Sequence, residues 1–191
     1  MKLYQALVLK LMSLTGISSS FNWGLAVREP FSGAWQKGIT EDKKENILKN
    51  SAVFACVTGI ASDIAKLRIK LDRNVDGIWE EITENNKWLP VLRKPNHYQT
   101  RINFVEQWIL SKLLIGNAYI LKGRDNSGIV NALYPLCPSL VVPLVSDQTG
   151  EVFYQLGNDY LSGLKTSVVV PAREIIHDRM NCLWHPLIGV A

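Results

Sequence analysis

The hydrophobic period of this chain changes abruptly at Gly116-Asn117, and that change constrains the fold class more than any other feature. Just before it, Ile102, Val105, Trp108, Ile109, Leu113 and others recur at helical spacing behind Thr100, which can cap a helix over about 101–115. Beyond it the chain falls into short extended runs separated by turn residues. Gly116 suits the left-handed residue that closes a helix, and Asn117 can bond local backbone there. A second helix is expected over 51–66, capped by Asn50 or Ser51, with Val53, Phe54, Cys56, Val57, Ile60 and Ile64 along one apolar face. Phe54 and Trp108 are expected as core rings, and Cys56 as a buried, inert thiol.

Between the helices, Leu67, Ile69 and Leu71 alternate with Lys66, Arg68 and Lys70, which predicts a strand with one apolar and one basic face. Asp76-Gly77 is a hairpin signal, with a return strand over 78–83 that sets Arg73 opposite Glu80 and Leu71 opposite Ile82. A short helical piece around Trp88, Leu89, Val91 and Leu92 is limited by Pro90 and stopped by Pro95-Asn96. Two further hairpins are expected, 118–122 with 129–134 and 140–145 with 151–156; Pro143 argues for an edge or a bulge. Runs at 168–170 and 174–177 complete the extended set. The class is α+β: two amphipathic helices packed on a mostly antiparallel sheet of hairpins. The expected organisation is an N-terminal arm and linker over 1–49 and one domain over 50–191.

Residues 15–40 are rich in Ser and Gly, yet Trp23, Phe31 and Trp35 imply packing, either on the chain's own domain or on a partner subunit. Residues 1–14 are apolar, but Lys10 interrupts them as a secretory signal and the run is too short to span a bilayer, so no membrane role is expected. A short amphipathic helix, or an arm docked on a neighbour, fits better. The 191 residues suit one domain with a tail, and their aromatic content and lack of repeats exclude disorder, collagen and coiled coil as the overall class. Cys56, Cys137 and Cys182 are too few and too scattered for a disulfide scaffold and fit a reducing compartment. The net charge of +4 is uneven: seven basic residues face four acidic ones in 1–50, and fourteen face thirteen in 51–191. A near-neutral domain lacks the concentrated basic face of a dedicated nucleic-acid binder.

Phosphate-cradling and nucleophile-elbow motifs are missing from the sequence. Of His97, His177 and His185, only the stretch His177-Asp178, Cys182 and His185 approaches a metal spacing, and it has no second ligand pair. Glu80-Glu81 sits beside a turn and reads as solvated. No catalytic, cofactor-binding or metal residues are assigned, no cofactor is implied, and no ATPase, nuclease or metal-dependent activity is expected. Two other readings have a foothold: a stand-alone interaction or nucleic-acid-binding module using Lys66, Arg68 and Lys70, and an enzyme using a pocket that joins His177, Asp178 and His185.

The order of segments carries a resemblance. Ser51-Ala52-Val53-Phe54-Ala55-Cys56-Val57 leads to Ile64-Ala65-Lys66-Leu67, a hairpin, and Val91-Leu92-Arg93-Lys94-Pro95-Asn96. Phe104 follows, then Leu113 to Tyr119 with its Gly116-Asn117-Ala118-Tyr119, Leu133-Tyr134-Pro135-Leu136, Glu174-Ile175-Ile176-His177 and His185-Pro186-Leu187-Ile188-Gly189-Val190. This set resembles the portal proteins of tailed double-stranded DNA bacteriophages, of the lambdoid siphophage type. The resemblance implies a ring subunit, dodecameric in full-length members, at one capsid vertex: the conduit for DNA during packaging and ejection. It implies as partners the terminase motor, capsid and head-completion proteins and the passing duplex, and as location the virion, after assembly in the host cytoplasm. It covers the N-terminal, wing-like part of such proteins. Tunnel-lining helices, clip and crown are expected to lie beyond it, in a fragment or a truncated prophage product.

Overall fold

The structure, a computed structural model, describes residues 27–28, 49–83, 86–183 and 185–191. Both long helices form where the spacing predicts them. Helix α1 (Ser51–Lys66) is capped by Asn50, whose side chain accepts from the amides of Ala52 at 3.1 Å and Val53 at 3.4 Å. Helix α2 (Leu89–Arg93) is the short piece behind Trp88. Helix α3 (Arg101–Ile115) starts at Thr100, whose hydroxyl accepts from the Asn103 amide, and stops at Gly116 with φ 80° and ψ −8°.

The strands are β1 (Val27–Arg28), β2 (Asp72–Val75), β3 (Ile78–Glu81), β4 (Asn117–Arg124), β5 (Val130–Leu136), β6 (Val141–Ser146), β7 (Val152–Leu156), β8 (Val168–Pro171) and β9 (Ile175–Arg179). They form two core sheets rather than the single sheet expected: β5-β4-β9, and β1-β6-β7-β8, both antiparallel. The β2-β3 hairpin stands apart from both. Its turn places Asp76 and Gly77 at positive φ, and its register sets Arg73 opposite Glu80 as the spacing predicts.

Strand β4 explains the layering. Its successive side chains point to opposite faces. Tyr119 and Leu121 join Leu136, Val141, Tyr154, Leu156, Val170 and Ile175 between the two sheets. Ile120 joins Ala65, Val91, Phe104, Val105 and Leu133 under the helices. Helices, first sheet and second sheet thus stack as three layers, with β4 covered on both faces. Pro143 fits because it faces Tyr154 across a non-hydrogen-bonded pair, while the described residues of β1 reach only Val145 and Ser146.

Several expected core positions lie elsewhere. Phe54 is 51% exposed and Ile102 46%, and the thiol of Cys56 is exposed, as are those of Cys137 and Cys182. The face of α1 that packs on α3 is marked by Ala61 and Ala65, both fully buried. Small side chains let the two helix axes approach closely, and the bulky stripe beside them is left outward. The core ring of α3 is Phe104, with Trp108 set edge-on against it at 5.9 Å between centroids. Leu67 and Ile69 are also exposed, so the strand expected at 67–71 is an extended lead-in to β2 and not a core strand. Trp23, Phe31, Trp35 and the apolar run 1–14 lie outside the described residues.

Candidate functional site

A buried polar cluster joins the end of α3, the start of β4, β9 and the segment 185–190. Gly116 closes the helix, and its carbonyl accepts from the Met180 amide at 2.8 Å. The Met180 carbonyl in turn accepts from the Val190 amide at 2.8 Å. Asn117 then clasps Gly189 on both sides of its backbone: its Oδ1 accepts from the Gly189 amide at 2.8 Å and its Nδ2 donates to the Gly189 carbonyl at 2.9 Å. The two backbones meet so closely that a Cβ on Gly116 would lie 2.6 Å from Gly189 and Val190 backbone atoms. A Cβ on Gly189 would overlap the Gly116 carbonyl. Both positions therefore require glycine.

The clasp also fixes the state of His177. Asn117 Nδ2 is committed as donor to Gly189, so its Oδ1 is an acceptor, and His177 Nε2 at 3.1 Å must carry the proton. His177 Nδ1 then accepts from the Tyr154 hydroxyl at 2.9 Å. Tyr119 stacks on the imidazole at 4.2 Å between centroids. Burial, and then the nearby Arg179 charge, push the His177 pKa down to about 3, against a smaller opposing effect of Asp178. The ring is neutral at physiological pH and bridges the two sheets, since Asn117 lies on β4 and Tyr154 on β7.

Asp178, one residue on, faces the helix layer. Its carboxylate accepts from Trp108 Nε1 at 2.9 Å and from the Lys112 ammonium at 2.8 Å, which ties β9 to α3. Period-two alternation thus sends His177 and Asp178 to opposite faces of one strand. His185 Nδ1 accepts from the amide of Leu187 in its own turn. The pocket that would have joined His177, Asp178 and His185 is not assembled. Among the described residues no three His, Cys, Asp or Glu side chains gather as metal ligands.

Each cation of the basic face of 66–70 has a carboxylate partner, but Arg68 and Lys70 share one, so three cations meet two acids. Lys66 pairs with Asp63 at 3.0 Å, Arg68 with Glu81 at 2.7 Å and Lys70 with Glu81 at 2.9 Å. The Lys70 hydrogen bond, more than the Arg68 charge, holds the Glu81 carboxyl below its ordinary range. Glu81 is therefore an ion-pair partner and not simply a solvated acid. Sequence reasoning missed the long reach of Asn117, which it confined to local backbone. The available signal was an amide side chain opening the apolar run Ala118-Tyr119-Ile120-Leu121, where a buried polar group must find partners.

The chain is thus a layered α+β domain whose polar side chains hold distant backbone segments together. The chain belongs to the phage portal protein family, which it matches over residues 51–191. It is 32% identical over 122 residues to an uncharacterized protein of Rickettsia felis, a match covering 60% of this chain and 27% of that one. It is 40% identical over 68 residues to a putative uncharacterized protein of Rickettsia conorii, covering 34% of this chain and 85% of that one. Among solved structures it is similar to a chain in the neck of an empty GTA particle computed with C6 symmetry. That likeness has a TM-score of 0.67 at 18% identity and covers 86% of this chain and 42% of the other. A chain in the neck of the native GTA particle computed with C12 symmetry gives a TM-score of 0.59 at 18% identity, over 79% of this chain and 39% of that one. The virion of the native gene transfer agent particle gives 0.59 at 19%, over 82% and 39%. The chain thus spans well under half the length of these structural relatives. Two segments of the ordered set that carries the resemblance, Gly116-Asn117-Ala118-Tyr119 and His185 to Val190, are the ones that the clasp joins.

Proposed function

We propose that this chain is the wing-like part of a portal subunit, one of a ring of copies, dodecameric in the complete protein, through which duplex DNA enters and leaves a phage-type particle. Family membership over 51–191 carries this reading, and the symmetric necks in which similar folds occur support it. The role is structural and non-catalytic. His177, whose pKa burial lowers to about 3, spends both ring nitrogens on Tyr154 and Asn117 rather than on a reacting group. Residues 1–49 act as an arm and 50–191 as the folded unit. Terminase, capsid and head-completion proteins are the partners, and the virion vertex is the destination after assembly in the host cytoplasm.

The test is assembly. A chain extended to the length of its structural relatives should give closed twelve-fold rings by electron microscopy and should retain terminase. The 191-residue chain alone should sediment mainly as monomers and small assemblies. An extended chain that stays monomeric, or ATP turnover that tracks the folded protein, would count against the reading.

A further inference from the structure

The segment 185–190 belongs to neither core sheet, and its buried residues are Ile188 and Gly189. Among the described residues its polar ties beyond its own turn are few. Asn117 makes two bonds to Gly189, the Val190 amide donates to the Met180 carbonyl, and the Arg179 guanidinium donates to the Pro186 carbonyl. The stretch 181–183 that leads into it is exposed, with Asn181 at φ 46°. A segment with so little buried apolar surface opens locally at less cost than global unfolding. Its one deep contact is not local in effect. Asn117 Oδ1 accepts from the Gly189 amide and from His177 Nε2, and His177 Nδ1 accepts from the Tyr154 hydroxyl. The segment, β4, β9 and β7 thus share one line of hydrogen bonds, with Asn117 1% and Tyr154 4% exposed.

Every group in that line can reverse. A carboxamide turned over presents Nδ2 in place of Oδ1, an imidazole has two tautomers, and a hydroxyl donates or accepts. Reversal must run the whole length: Nδ2 facing His177 requires Nε2 to accept, Nδ1 to carry the proton and the Tyr154 oxygen to accept. Docked Gly189 forbids this, because its amide needs Oδ1 and its carbonyl needs Nδ2. Without Gly189, only a long 3.4 Å contact from Nδ2 to the Ile115 carbonyl orients the amide. We infer that 185–190 is a latch, and that its docking sets the direction of the hydrogen bonds running through Asn117 and His177 to Tyr154. The contact between the two sheets therefore depends on whether the latch is closed. Two discrete arrangements are what transmission between separate places requires, and the coupling is reciprocal: Tyr154 must hold the latch as the latch holds Tyr154. The device is complete within one chain and needs no second copy.

The experiment uses the full chain with isotope-labelled histidine, whose ring-nitrogen shifts separate the two tautomers, at neutral pH. Ile188→Ser weakens docking without a clash, and Gly189→Ala blocks it, because a Cβ there overlaps the Gly116 carbonyl. Hydrogen exchange at the Val190 amide reports release of the latch, and the amides of β5 report global opening. In the parent, His177 should be wholly the Nε2–H tautomer. In either variant Val190 should exchange about tenfold faster or more relative to β5, and the Nδ1–H tautomer should appear. From the far end, Tyr154→Phe removes one hydroxyl and should speed Val190 exchange about fivefold relative to β5. Tyr160→Phe, at an exposed tyrosine, is the control and should change neither reading. A released latch with His177 still wholly Nε2–H, or Tyr154→Phe with Val190 exchanging at the parent rate relative to β5, overturns the relay. A Val190 amide that stays as protected as β5 in both latch variants overturns the latch. If Gly189→Ala does not fold, Ile188→Ser decides; if neither folds, Tyr154→Phe decides.

Discussion

Asn117 satisfies both backbone groups of a glycine 72 positions away and still orients an imidazole. Removing its side chain strands the amide and carbonyl of Gly189, so Asn117→Ala should lower stability by about 2–4 kcal/mol, read from the urea midpoint. A loss within error of zero would mean that water replaces the clasp. His177 gives a pH signature. Its pKa falls from the ordinary 6.5 to about 3 on folding, so the unfolded chain binds the proton more readily. The contribution of the neutral ring is fully present above about pH 6.5 and is lost as the pH drops toward 3. The urea midpoint of the parent should therefore fall across that window more steeply than that of His177→Gln. Parallel profiles would show that His177 does not titrate as the geometry requires.

At the scale of elements, the end of α3 separates a local requirement from a tertiary one. Gly116 and Gly128 both have positive φ, 80° and 77°. A Cβ at Gly128 meets nothing within 4 Å, whereas at Gly116 it strikes the backbone of Gly189 and Val190. Gly128→Ala should cost about 1 kcal/mol, the price of the backbone conformation alone. Gly116→Ala should cost clearly more, ~2 kcal/mol or above, because the 185–190 segment must move as well. Equal losses in chemical denaturation would show that the docked segment carries no strain. The core ring offers a parallel contrast: Phe104→Ala should cost roughly 3–5 kcal/mol, and Phe54→Ala far less, because only Phe104 is enclosed.

Across the whole molecule, the charge distribution tests the rival nucleic-acid reading. Arg68 and Lys70 converge on the single carboxylate of Glu81, which offsets one of their two charges and ties both side chains down. The double variant Arg68→Ala, Lys70→Ala should leave duplex retention on a low-salt column unchanged. A clear, salt-dependent loss would revive a DNA-contacting role for this face.

Periodicity in the chain was sufficient to place α1, α3, their caps and the hairpin turns, because these depend on contacts within a few residues. Asn50, Thr100, Gly116, Asp76 and Gly77 act on their own stretch of backbone, so their roles are legible one segment at a time. The division into two sheets, with β9 returning to β4, depends on pairings across more than fifty residues, which no local pattern encodes. Which face of α1 is buried was likewise a tertiary decision: hydrophobicity points to Ile60 and Ile64, but close approach to α3 selects Ala61 and Ala65. The clasp is the clearest case. The sequence shows a helix-ending Gly-Asn and a distant Gly-Val, each explicable locally, and only the folded chain brings them together, because buried polar backbone must be paired wherever two segments exclude water between them.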